Sequence, residues 1–122
     1  MRKNLFYAAV LAGLAVVMGA FGAHALKASL SGEMLSVWHT AVDYQMWHAL
    51  GLGLIGCQPS TSPLKNWSAR LMLAGIGLFS GSLYLLALTE IQSLGMITPF
   101  GGLALIAAWI LFALHLWRIP HA

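Results

Sequence analysis

The sequence predicts an all-α protein, a four-helix transmembrane bundle, from three observations. Charge is scarce: 7% of the 122 residues are charged and 60% are hydrophobic, whereas a soluble domain carries about 25% charged residues. Four apolar stretches reach or approach the length of about 20 residues that crosses a roughly 30 Å hydrocarbon core. The basic residues fall almost entirely on one side of the topology that those stretches define. Length suggests one compact unit, a single four-span domain over 1–122.

The first stretch, about 5–23, is uncharged. Arg2-Lys3 before it and Ala23-His24-Ala25 at its end mimic a signal peptide. Its 19 apolar residues (Leu5 to Ala23) exceed a usual signal core, so it is read as a retained helix. The second stretch, about 38–57, carries Asp43 and His48. The third, about 69–88, has its only charge, Arg70, at the start, and the fourth, about 100–117, holds His115 near its end. Helices are the reading because lipid cannot satisfy open backbone groups. Thr98-Pro99 suits the N-cap and N1 positions of the fourth helix. Gln58 to Pro63 is a polar connector.

Arg2, Lys3, Lys65, Arg70 and Arg118 lie on one side of a four-span topology, and Lys27 lies on the other with Glu33 and Glu90. That bias predicts cytoplasmic N- and C-termini and argues against dual-topology insertion. It contains no basic stripe that would track nucleic acid. Trp38, Trp67 and Trp117 stand at helix ends as interface anchors do. Cys57, the single cysteine, excludes an internal disulfide and a C-x-x-C metal pair, and is read as a small apolar residue.

A shift of 62 residues aligns the chain with itself. Lys3-Asn4 falls on Lys65-Asn66 and Leu11-Ala12-Gly13 on Leu73-Ala74-Gly75, while Gly19 meets Gly81 and Trp47 meets Trp109. The expectation is two parallel two-helix repeats related by an axis along the membrane normal. Small residues recur at helical spacing at Ala8, Ala12, Ala15, Gly19 and Gly22, at Ala49 and Gly53, and at Gly77 and Gly81. Such stripes let helices approach closely. Internal packing is the first reading and a homo-oligomer interface the second.

Four segments carry a family resemblance: Gly19-Ala-Phe-Gly-Ala-His-Ala-Leu-Lys27, Thr40-Ala-Val-Asp-Tyr-Gln-Met-Trp-His-Ala-Leu50, Phe79-Ser-Gly-Ser-Leu-Tyr-Leu-Leu-Ala-Leu88 and Gly95-Met-Ile-Thr-Pro-Phe-Gly-Gly102. Together they resemble the YgdD-like family of small bacterial inner-membrane proteins, a domain of unknown function. The resemblance covers nearly the whole chain and implies a four-span protein of the bacterial inner (cytoplasmic) membrane. It implies no activity. His24, Lys27, Tyr44, Gln45, His48, Ser80, Ser82, Tyr84, Thr98 and Pro99 occupy characteristic positions in that pattern, and Asp43 lies outside it.

Polar groups inside a bilayer need partners or a task. Measured from Trp38, Asp43 lies about 7 Å along the helix and His48 about 15 Å, near the midplane. Tyr44, Gln45 and His48 can line one polar side facing Ser80, Ser82 and Tyr84 of the third helix, with His24 closing the outer end. The two readings are a hydrogen-bonded knot between helices and a small polar pocket, opening outward, for a headgroup, solute or proton. His24, His39, Asp43 and Glu90 lack close metal-ligand spacing, so no metal is assigned. The histidines differ in depth, which disfavours a haem, and no cofactor is expected. His115 and His121 are expected to be solvated or interfacial. No nucleophile motif or phosphate loop appears.

These features lead to a non-enzymatic bundle that binds a lipid or small solute, with transport as a subset, and membrane lipids as partners. The alternative is an accessory or structural subunit of a larger membrane complex. The sequence names neither a ligand nor a protein partner.

Overall fold

The structure is a computed structural model that describes residues 2–120; the reading of His121 lies outside the described residues. Four α-helices follow one another: α1 (Arg2–His24), α2 (Gly32–Gly56), α3 (Pro63–Thr89) and α4 (Thr98–Arg118). A short 3-10 turn, Gln92–Met96, precedes α4, in a segment read from sequence as plain loop. Among the described residues there is no strand, and the fold is the all-α helix bundle expected.

Local sequence sets the helix ends. Ser31 caps α2 by accepting from the Met34 amide at 3.1 Å, so α2 starts well before Trp38. Ser62 caps α3 in the same way through the Lys65 amide at 3.2 Å, with Pro63 in the first turn. Both hydroxyls satisfy an amide that has no partner inside the helix. Glu90 ends α3 in the left-handed region (φ 59°). Thr98 departs from expectation. The cap position is Ile97, without a side-chain cap bond, because the Thr98 hydroxyl is engaged by Ser82.

The helices run up and down in sequence order. Gly56 at the end of α2 lies against Leu5 near the start of α1, and Gly22 at the end of α1 lies against Trp38. Ser82 meets Thr98 at one end of the α3–α4 pair, and Ser62 meets His115 at the other. α1 packs on α2, α2 on α3 and α3 on α4. One apolar cluster (Leu52, Ile55, Met72, Ile76, Leu105, Phe112) joins α2, α3 and α4, with Ala8 of α1 at its edge. A second (Met34, Ala41, Leu83, Leu86) sits toward the end where α3 finishes.

Three helical segments, Arg2–His24, Pro63–Thr89 and Gln92–Arg118, are long and apolar enough to cross a membrane by length and composition. The 25-residue α2 is also long, but its polar residues leave it outside that group. Large apolar side chains cover the outside, among them Val16, Phe21, Leu54, Leu85, Leu103 and Ile106. A water-soluble surface does not carry apolar patches on that scale, whereas lipid accepts them.

Trp38, read as an interface anchor, is 1% exposed and plugs the α1–α2 contact. Trp67 and Trp117 are exposed at helix ends. Cys57, read as a small apolar residue, is an exposed thiol at the C-cap of α2.

Candidate functional site

The polar side of α2 is built as a set of inter-helix bonds. Gln45, 5% exposed, donates from Nε2 to the Leu11 carbonyl of α1 at 2.8 Å. Its Oε1 accepts from the Tyr84 hydroxyl of α3 at 2.6 Å. One amide thus ties three helices together. About two turns away, Trp38 Nε1 donates to the Met18 carbonyl at 2.8 Å, and its ring meets Tyr84 edge-on at 4.7 Å. Ser80 donates to the Ala41 carbonyl at 2.7 Å. Buried polar groups that find such partners avoid a desolvation cost of about 1–3 kcal/mol each.

The other candidates divide. Ser82 donates to the Phe79 carbonyl at 2.9 Å and meets Thr98, so it serves the α3–α4 contact. Tyr44 stacks on Phe79 with centroids 4.1 Å apart. His48 is buried and donates from Nδ1 to the Tyr44 carbonyl of its own helix at 2.7 Å. Its ring neighbours Trp109 of α4 at 5.9 Å, not the serines of α3. His24 and Asp43 are exposed and stand outside this network. Asp43 shares the outer flank of α2 with His39, Trp47, Leu50 and Leu54, which are all exposed. Among the described residues no three His, Cys, Asp or Glu side chains gather as a metal site would require.

The end of the bundle where α1 and α3 begin holds what the sequence reading missed. His115, expected to be solvated, is 3% exposed. Its Nδ1 lies 2.7 Å from Ser62 Oγ, and its buried Nε2 has no hydrogen-bond partner. Lys65, counted from sequence as a membrane-surface cation, is 3% exposed and its ammonium donates to the Gln58 carbonyl. Arg118, Ser60, Thr61, Ser62 and His115 help line a cavity of about 370 Å³ between the α2–α3 connection and the end of α4.

A second cavity of about 410 Å³ opens at the same end between α1 and α3. Lys3, Asn4, Tyr7, Asn66, Ala69, Arg70 and Leu73 line it, with no carboxylate among them. Arg70 places its guanidinium carbon 5.1 Å from the centre of the Trp67 ring, a cation–π contact. The sequence signal for this cavity was the Lys3-Asn4 and Lys65-Asn66 match. It brings Asn4 and Asn66 to the start of two parallel helices, Asn4 next to Lys3 in sequence and Asn66 one turn before Arg70.

Residues 18–102 match the family model "Protein of unknown function (DUF423)". The chain is 44% identical over 119 residues to a UPF0382 membrane protein of Staphylococcus haemolyticus, covering 97% of this chain and 98% of that one. It is 46% identical over 119 residues to a UPF0382 membrane protein of Staphylococcus aureus strain bovine RF122, covering 97% and 98%. The UPF0382 membrane protein YwdK of Bacillus subtilis is 46% identical over 114 residues, covering 91% and 93%. No solved structure matches the chain. With lipid-compatible helices and relatives of nearly the same length, the chain is an integral membrane protein of the DUF423 family.

Proposed function

We propose that this protein is a non-enzymatic, four-span bundle of the cytoplasmic membrane that binds a membrane lipid or small solute, with its N- and C-termini in the cytoplasm. The observation that carries the binding reading is the pair of cavities of about 370 and 410 Å³ at the end where α1 and α3 begin. The polar side of α2 has the chemistry of a fastener, because Gln45 is engaged at both ends of its amide. A ligand is better accommodated at the basic end of the bundle than beside Gln45, and a proton path through the knot would have to break it. Orientation rests on charge. Arg2, Lys3, Lys65, Arg70 and Arg118 belong to the end with the cavities, while Lys27, Glu33 and Glu90 belong to the other.

A second reading, an accessory subunit, has one observation in its favour. Asp43 and His39 are exposed on the outer flank of α2, and an ionisable residue facing hydrocarbon is costly without a partner. A native mass spectrum of the protein released from mild detergent separates the readings. A retained lipid or solute supports the first. A stoichiometric foreign protein and no small ligand overturns it. Orientation is tested in intact cells with Cys57→Ser as background. An impermeant maleimide should label Ser29→Cys and spare Thr61→Cys, and the reverse pattern overturns the assignment.

A further inference from the structure

We propose that the groove between α1 and α3 is a site for an anionic phospholipid of the inner leaflet, with Lys3 and Arg70 on the headgroup phosphate and one acyl chain lying along the small-residue strip of α3. The inference rests on the binding reading above and names its ligand class and its place.

The groove has the donors that a phosphodiester needs and nothing that repels one. Lys3 and Arg70 supply positive charge, Asn4 and Asn66 supply amide donors, and Tyr7 supplies a hydroxyl. Basic pockets between helices on the cytoplasmic side are the recurrent form of anionic headgroup sites. A guanidinium also matches phosphate oxygens in a two-pronged geometry. Arg70 is held beside the Trp67 ring, and Trp67 is exposed at the start of α3, where an indole sits at the headgroup level. The neighbouring lysine is unavailable: Lys65 is buried with its ammonium on the Gln58 carbonyl.

The floor of the groove, Ala69 and Leu73, is apolar. Below it α3 runs through Ala74 and Gly77, which are exposed, and Gly81, which is half-buried. Arg70, Ala74, Gly77 and Gly81 follow at spacings of four, three and four, so they form one stripe. A Cβ added at Gly77 or at Gly81 would meet nothing within 4 Å. For the Gly77-x-x-x-Gly81 pair the sequence offers internal packing first and a homo-oligomer interface second, and in the structure an added Cβ at either glycine meets no other helix of this chain. The pair leaves an uncovered strip of small residues that continues from Arg70 along α3. That is the shape of a phospholipid, with a charged head at the membrane surface and a chain below it. A free phosphate would use only the upper half.

The test uses the full-length protein in mild detergent, with native mass spectrometry of bound phosphatidylglycerol and phosphatidylethanolamine at matched concentrations. The expected result is retention of phosphatidylglycerol over phosphatidylethanolamine. Lys3→Ala with Arg70→Ala should weaken phosphatidylglycerol by about thirtyfold, the combined value typical of two basic residues near an anionic surface. Lys27→Ala, which removes a cation from the other end, should change nothing. Gly77→Leu should weaken the lipid while leaving helicity by circular dichroism intact, since it points into open space. Inorganic phosphate at millimolar concentration should not displace the lipid. Equal retention of both lipids, or phosphatidylglycerol undiminished in the double variant, overturns this site while leaving the binding reading standing. Displacement by phosphate assigns the groove to a soluble anion and overturns the lipid. A dimer that Gly77→Leu dissociates without loss of lipid overturns the acyl-chain trough. Absence of any lipid or solute from the wild-type protein overturns both this site and the reading on which it rests.

Discussion

Where α1 meets α2, small residues on one helix receive large ones from the other. Gly22 accommodates the Trp38 indole, Gly19 lies against Val42, and Leu5 lies against Gly56. Two side-chain donors then reach α1 carbonyls, from Trp38 to Met18 and from Gln45 to Leu11. Where α3 meets α4, the helices approach backbone to backbone. Gly101 presses on the main chain at Leu78 and Phe79, and Gly75 lies against Leu105 and the Gly101 carbonyl. Hydroxyls cross this contact, from Ser68 to the Ala108 carbonyl and between Ser82 and Thr98. Both pairs thus use small residues plus a polar side chain, the devices available where lipid offers no hydrophobic drive between helices. They differ in tolerance. At Gly22 the obstacle to an added methyl group is the Trp38 side chain, and at Gly101 it is the backbone of Leu78 and Phe79. The contrast predicts that the α3–α4 pair is the less tolerant of the two, while the flank of α1 toward α3 forms one side of the basic groove.

The largest test of that contrast is Gly101→Val. An added Cβ would collide with the Phe79 amide and approach the Leu78 carbonyl carbon at 2.8 Å. The helices must separate, and overpacking of this kind costs about 3 kcal/mol or more. Gly22→Val on the looser pair also meets an obstacle, but that obstacle is the Trp38 side chain, so a loss of about 1–3 kcal/mol is expected. Unfolding of the purified variants in mixed micelles, followed by circular dichroism, ranks them. Equal losses would remove the distinction between a rigid and a compliant pair.

Gln45→Leu comes next. It leaves the Tyr84 hydroxyl and the Leu11 carbonyl without their partner, a cost of about 1–3 kcal/mol. His48→Gln is expected to be milder, because His48 bonds only within its own helix. If the order is reversed in the same unfolding assay, the bundle is held at His48 rather than at Gln45.

Much of this arrangement could be read from residue type and spacing. Four apolar runs and their polar punctuation specify four helices, since backbone groups in lipid leave no other choice. The i, i+3, i+4 spacing of Ala8, Ala12, Ala15, Gly19 and Gly22 marks a packing face on α1, for a helix of the bundle or another subunit, and the structure sets that face against α2. Depth sets Tyr44, Gln45 and His48 against Ser80, Ser82 and Tyr84 as groups, and of the pairs this allows the structure makes the one between Gln45 and Tyr84. Spacing does not show which side of a polar residue is covered. Asp43 and His48 are both polar residues of α2, yet Asp43 faces outward and His48 is buried. The same limit hid Lys65, His115 and Trp38. Each carries an amphipathic side chain that ordinarily seeks the interface, and each turns inward to a carbonyl or hydroxyl supplied from outside its own helix.

The smallest expected effect bears on the repeat. In the 62-residue register Gly13 corresponds to Gly75, and the two halves use that position differently. An added Cβ at Gly75 would lie 2.6 Å from Leu105 and 3.1 Å from the Gly101 carbonyl oxygen, while at Gly13 it would meet nothing within 4 Å. Gly75→Ala should therefore destabilise the α3–α4 contact. Gly13→Ala should be neutral or gain up to about 1 kcal/mol, because alanine is the better helix former and no packing opposes it. The pair of substitutions asks whether duplication, if it produced this chain, was followed by specialisation of one copy as the rigid core. A loss of stability at Gly13 comparable to that at Gly75 would mean that α1 is covered at this point in the membrane by something other than lipid, and the open flank of α1 would then be an interface with another chain.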